Sequence, residues 1–259
     1  MPLQPKYMYG QGVLEVAEII SPTVDGPWVD IGDASSLEGT VSETAIQHRE
    51  SRSGKKALVR NFGIEANMAW SVNIHQLDAP NIARFTQGTV SSAVAGTVTG
   101  EEFPDDLEAG DVITLDEFGP SDLVILDSAA TPVTLDPEHY AYNAYGDVEI
   151  LSLPDPAPTQ PFTASYSYAA RRQVAMLNSK RKQYRLRYKG INLAENEQPF
   201  ILELYKLDAG LLQTLSLITS GNQVAQAPVT FTSLADTTKR ADGELGQFGR
   251  LIEIGEGAA

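Results

Sequence analysis

Cysteine is absent from the 259-residue chain. That excludes disulfides, thiolate metal sites and thiol catalysis, and leaves packing or subunit contacts to supply stability. Histidine is nearly absent too. His48, His75 and His139 are scattered with no metal-ligand spacing, and surface or strand positions account for them. No apolar run approaches the roughly 20 residues that span a bilayer, so no membrane is expected as a partner. The first thirty residues lack a basic start followed by an apolar stretch, so no secretory signal is expected either. Cation is scarce: 19 Lys and Arg stand against 34 Asp and Glu, a net charge of −15. Wrapping DNA by phosphate neutralisation needs clustered Lys and Arg, so that class is disfavoured. A surface that repels DNA is not.

Nucleotide and hydrolase motifs are missing as well. Gly10-Gln11-Gly12 lacks the third glycine of a dinucleotide turn, and Gly54-Lys55-Lys56 lacks the hydroxyl with which a P-loop holds magnesium. There is no Gly-x-Ser-x-Gly elbow. Residues 101–117 hold eight acids and no base. Counted as a calcium loop from Asp105, the segment puts Leu107 and Ala109 where oxygen donors must stand. A solvated acidic face fits it better. No catalytic, cofactor-binding or metal-binding residue is therefore expected, and no cofactor.

What is present is mostly strand. Val13–Ile20 alternates and stops at Ser21-Pro22, Trp28–Ile31 restarts an extended run, and Leu37–His48 follows. Ser51-Arg52-Ser53-Gly54 reads as a hairpin loop, and Lys56–Leu77 offers one or two strands broken near Gly63. Neither face of the 37–63 hairpin is cleanly apolar, because Glu43, Thr44 and Gln47 keep both sides wet. Such a hairpin is either a flexible flap or a strand pair that borders water and pairs with a neighbour.

One helix is predicted at Asp78–Gly88, with Asp78 as cap, Pro80 in the first turn and Ile82, Ala83 and Phe85 as its buried stripe. A second is possible at Gly210–Thr219, where Leu211, Leu212, Leu215 and Ile218 recur at helical spacing. Short strands around 112–115, 123–126 and 148–151 follow a compositional shift, and Pro154-Asp155-Pro156-Ala157-Pro158 reads as a stiff linker. Residues 89–160 are therefore expected to form an inserted β subdomain or long β excursion. Residues 1–88 and 161–259 would form the core domain, and the whole a mainly β fold with one or two short flanking helices.

Further strands are expected at 162–170, 184–189, 199–207, 229–234 and 248–254. Residues 171–189 carry eight bases and no acid. Arg185, Arg187 and Lys189 alternate there with Tyr184, Leu186 and Tyr188. A solvated strand face, a nucleic-acid contact and a basic subunit-contact strand opposite the acidic patch all remain open.

Several stretches together resemble one family. Trp28-Val29-Asp30-Ile31-Gly32-Asp33, Leu37-Glu38 and His48-Arg49-Glu50-Ser51-Arg52-Ser53-Gly54-Lys55 are similar to the opening of the major tail tube proteins of long-tailed bacteriophages. Tyr140 through Gly146-Asp147, Phe162–Tyr168, Leu202–Lys206 with Leu215–Ile218, Phe231–Lys239 and Gly246–Ile252 resemble that family's later segments in order and spacing. The resemblance implies a β-sandwich or rolled sheet assembling as a homo-oligomer, in hexameric rings stacked into a hollow tube. On it, the hairpin lines the lumen through Glu38, Thr40, Ser42, Glu43 and Thr44. Its tip, with Arg49, Ser51, Arg52, Gly54 and Lys55, touches the next ring. The protein would be made in the host cytoplasm and reside in the virion tail, with the tape-measure, tail terminator and distal tail proteins as partners. DNA would pass without sticking, helped by the acidic balance. The rival readings are a tube protein of a contractile or secretion device, a capsid-decorating or baseplate protein, and a carbohydrate-active enzyme built on two carboxylates.

Overall fold

The computed structural model describes residues 6–220 and 224–255. The protein is mainly β and divides into two compact units, Met1–Thr89 with Val174–Ala259, and Val90–Gln173. In chain order the first unit opens with β1 (Gly10–Ser21), β2 (Val24–Asp25), β3 (Val29–Asp30), β4 (Ala34–Arg49), β5 (Leu58–Ile74) and helix α1 (Ala79–Phe85). The second unit spans β6 (Thr89–Ala93), β7 (Gly96–Glu102), β8 (Val112–Thr114), β9 (Ser121–Leu126), β10 (Tyr140–Tyr142), β11 (Asp147–Ile150), β12 (Thr163–Tyr168) and β13 (Arg171–Ala175). The chain then returns to the first unit with β14 (Gln183–Asn192), β15 (Gln198–Ala209), β16 (Ala227–Ser233) and β17 (Gly249–Glu253).

In the first unit one antiparallel sheet runs in the order β2-β1-β14-β15-β16-β5-β4, with β3 beside β1 and β17 beside β15. The alternation legible in the sequence sets its inner face. Val16 lies opposite Leu186, and both are fully buried with Ile31, Val72, Leu207 and Phe231. Helix α1 forms as its sequence requires. The Asp78 carboxylate accepts the Asn81 N–H at 2.9 Å, and Pro80 occupies the first turn. The helix directs Phe85 edge-on against Phe231, ring centroids 6.0 Å apart. The Asn81 carboxamide, buried beneath the helix, donates to the carbonyls of Ile31 and Gln76 at 3.0 Å, which removes the cost of burying it.

Two local expectations fail here. Residues 210–219 form no helix. The N–H groups of Gly210 and Leu212 donate to Thr230 and Phe85 carbonyls at 2.7 and 2.8 Å, so neighbouring backbone takes the bonds a helix would make. A ten-residue helix cannot hold itself without a buried stripe, and only Leu212 of that stripe packs on the core. Nor does the chain break at Gly63. β5 runs unbroken from Leu58 to Ile74, and a bulge absorbs the irregularity: Thr44 pairs with Glu65, Ala45 with Gly63, and Ile64 is extra.

The second unit has its own core of Phe103, Leu115, Ile125, Tyr140, Ile150, Phe162 and Tyr166. It holds two three-stranded sheets, β10-β11-β8 and β7-β12-β9, while its first and last strands, β6 and β13, pair with each other. The expected boundary at 160 falls too early. Strand β12 is the central strand of a sheet in this unit, pairing with β7 on one edge and β9 on the other. The proline-rich stretch is not a linker between units. The Gln160 carboxamide beyond it brackets the Leu107 backbone with bonds of 2.7 and 2.8 Å, tying the stretch into the same unit.

Candidate assembly interface

Strands β4 and β5 outgrow the sheet that holds them. Only Ala69–Ile74 of β5 pairs with β16, so Leu58–Met68 pairs with β4 alone. At about 3.3 Å per residue, eleven such residues project a two-stranded ribbon about 35 Å long. Every residue from Glu38 to Arg49 is exposed except half-buried Ala45, and every residue from Leu58 to Asn67 is exposed. Both faces are therefore wet, Val41 at 68% and Ile64 at 56% exposure among them. Both long edges also lack a strand partner among the described residues, since β4 ends the sheet. An isolated two-stranded hairpin is marginal in water, and an open edge is a template for another chain.

The register sorts the expected lumen residues. Glu38, Thr40, Ser42 and Thr44 lie opposite Ser71, Ala69, Asn67 and Glu65, so these eight share one face, polar throughout apart from Ala69 and free of cations. Glu43 does not belong with them. It pairs with Ala66 on the reverse face, where its carboxylate leans across Gly63. The reverse face is more apolar, with Val41 opposite Met68 and Gly39 opposite Trp70. Gly39 is required there, because a Cβ would come within 2.8 Å of the Trp70 ring. The signal was in the sequence: Ser42, Glu43 and Thr44 are consecutive on one strand, so alternation alone puts Glu43 on the face opposite the other four.

The tip holds the expected contact loop. Arg49, Ser51, Arg52, Gly54 and Lys55 are all exposed there. The Glu50 N–H closes the loop on the Ala57 carbonyl at 2.9 Å, the Glu50 carboxylate accepts from the Ser53 N–H and hydroxyl, and Gly54 takes the left-handed conformation at φ 73°. The ribbon is polarised in consequence. Arg49, Arg52, Lys55, Lys56 and Arg60 gather at the tip, and Glu38, Glu43 and Glu65 lie along the stem.

The basic strand is a different matter. Arg185 pairs with Asp25 at 3.1 Å, and Arg187 with Glu15 at 2.7 Å. Lys189 also pairs with Glu15, and Arg187 lies 4.4 Å over the Trp28 ring. Burial opposes the Glu15 carboxylate, but hydrogen bonds from Lys189 and Arg187 outweigh it and hold its carboxyl below the usual range. These cations are answered within the chain, which removes the charge argument for a subunit contact through them. Glu15 on β1 was the available signal, standing directly opposite Arg187 of β14 and off the phase of Leu14 and Val16.

The acid lies elsewhere than in the ribbon. Residues 90–173 hold fifteen Asp and Glu against Arg171 and Arg172, a net charge of −13, which leaves −2 for the rest of the chain. Part of it is structural. The Tyr166 hydroxyl donates to Glu101 at 2.6 Å, and burial followed by that carboxylate drives the phenol's pKa up; Glu117 pairs with Arg171. No group of three or more His, Asp or Glu residues among those described is disposed to hold a metal ion. No described helix is long and apolar enough to cross a membrane.

Comparison with curated proteins finds none that matches. The chain belongs to the family described as protein of unknown function UCP028589, whose model matches residues 7–252.

Proposed function

We propose that the protein is a structural subunit of a phage tail tube, stacking as sixfold rings around a channel that conducts DNA. The observation that carries this reading is the β4–β5 ribbon, wet on both faces and open along both edges. Around a ring, β4 of one copy would run antiparallel beside β5 of the next, and closure would leave no free edge. The cation-free face of Glu38, Thr40, Ser42, Thr44, Glu65 and Asn67 would then turn to the lumen, where phosphates must slide. That role falls to the composition of this face, because the net charge of the whole chain sits mostly in residues 90–173. The resemblance of the Trp28–Lys55 stretch and the later segments to tail tube proteins points the same way.

A tube protein of a contractile or secretion device shares the plan but is more compact, and the separate Val90–Gln173 unit favours the long-tailed reading. Negative-stain electron microscopy of the concentrated protein tests the proposal. Long tubes with a central channel support it. Closed compact oligomers without rings or tubes overturn it in favour of a decorating or baseplate role.

A further inference from the structure

The cations of the central sheet are answered where they stand. Arg181, Lys182, Arg185, Arg187, Lys189 and Arg250 each face a carboxylate of the first unit. The ribbon tip is different. Arg49, Arg52, Lys55, Lys56 and Arg60 lie within twelve residues of sequence, all exposed, and pair with no carboxylate among the described residues. Arg49 reaches the Lys56 carbonyl, and Arg60 lies over the Phe62 ring. Glu50, the single acid of that stretch, is engaged by Ser53. The acids of the stem are equally unanswered. Glu38, Glu43 and Glu65 are exposed and pair with no cation among the described residues. Glu38 and Glu65 stand on one face and Glu43 on the other, so the stem presents acid on both.

Resting on the reading that rings of this chain stack, we propose that the basic tip of each ribbon docks on the acidic stem of a ribbon in the next ring. Within one chain the two cannot meet. Even Lys56 and Glu65, the nearest such pair in sequence, are nine residues apart along extended backbone, about 30 Å. Neighbours in one ring cannot supply the match, because edge pairing brings tip beside tip and stem beside stem, where like charges repel. A copy displaced along the ribbon by about its 35 Å length lays base over acid instead. Such a contact is heterologous and repeats without closing, so every ring points the same way. Exposed ion pairs are individually weak and screened by salt, so the dock holds only where a ring engages several at once. The stem acids also argue against DNA as the ligand of the tip, since a duplex laid along the ribbon would meet them. Once docked, the tips keep no free cation to hold a passing phosphate.

Zero-length carbodiimide crosslinking of the concentrated protein, mapped by mass spectrometry, tests the dock directly. Lys55 or Lys56 should be joined to Glu38, Glu43 or Glu65, links that distance forbids within one chain. Tip links confined to acids of residues 90–173, or no tip links, overturn the proposal. Charge reversal tests its sign. Arg49→Glu, Arg52→Glu, Lys55→Glu in one chain and Glu38→Lys, Glu43→Lys, Glu65→Lys in another should each leave a folded protein by circular dichroism, with tube yield several-fold down. A chain carrying all six changes keeps the parent net charge and should recover the tubes. The reversed tip combined instead with Glu102→Lys, Asp105→Lys and Glu108→Lys should not, and equal recovery there overturns the dock in favour of overall charge. Parental tubes from both single-sided variants overturn the dock and leave the tube reading standing. Tip-to-stem links from a parent that never forms rings or tubes support the dock and overturn the tube reading. Duplex DNA binding that is lost with the reversed tip, without tip-to-stem links, overturns the dock and assigns the tip to phosphates.

Discussion

Phe231 shows what a single side chain contributes. It is fully buried, meets Phe85 edge to face and lies in register with Trp70 of β5. Phe231→Ala should lower the stability of the first unit by about 3–5 kcal/mol, read as a fall in urea midpoint with the slope unchanged. Glu15 predicts a pH dependence. Its folded carboxyl titrates below the ordinary value of 4.5, because Lys189 and Arg187 hydrogen bonds overcome burial. The stability it adds is complete above the unfolded pKa and is lost as pH falls through the lowered folded one. The urea midpoint of the parent should therefore drop on acidification below about pH 4.5 more steeply than that of Glu15→Gln, which carries no proton to bind. Equal slopes would show that the Lys189–Glu15–Arg187 cluster does not couple to folding.

At the scale of elements, the ribbon has few contacts to hold it and should behave accordingly. In the dispersed protein, amides of Glu38–Arg49 and Leu58–Asn67 should exchange rapidly while those of β14 and β15 stay protected. Assembly should protect both flanks of the ribbon at once, since edge pairing engages β4 and β5 together. Protection of neither would remove the ribbon from the interface. Deleting Arg52–Lys55 removes most of the exposed tip without touching the core, so it should leave a folded monomer that cannot form tubes. Normal tubes would refute the tip's role between rings. Helix α1 is the contrasting case. Its cap, proline and stripe all lie within eight residues, and the local signals agree with the tertiary result. The Gly210–Thr219 stripe had the right spacing, but only Leu212 of it packs on the core.

For the whole molecule, the second unit is the place to intervene. Its first and last strands pair, so the chain enters and leaves through neighbouring backbone. Replacing residues 91–172 with a two-residue Asn-Gly turn should leave a folded first unit that keeps the near-ultraviolet signal of Trp28 and Trp70. The same excision should remove nearly all the net charge, shown by a large upward shift in isoelectric point. Tubes formed by the excised chain would show that the acid of residues 90–173 is dispensable for assembly. Loss of folding would show the two units to be one cooperative structure instead.

The sequence carried the β class, most of the strand positions, the α1 helix and the wet, two-faced character of the hairpin, since each rests on a local pattern of period two or 3.6. It also determined what the chemistry is not built on, because cysteine and clustered histidine are simply missing. The folded structure was needed to show that Arg187 and Lys189 answer Glu15 and that β12 belongs to the second unit. Each of those depends on pairing between strands far apart in the chain, 172 residues for Arg187 and Glu15. A bulge of one residue or the choice of a partner strand turns a side chain from one face to the other, and no local pattern carries that information.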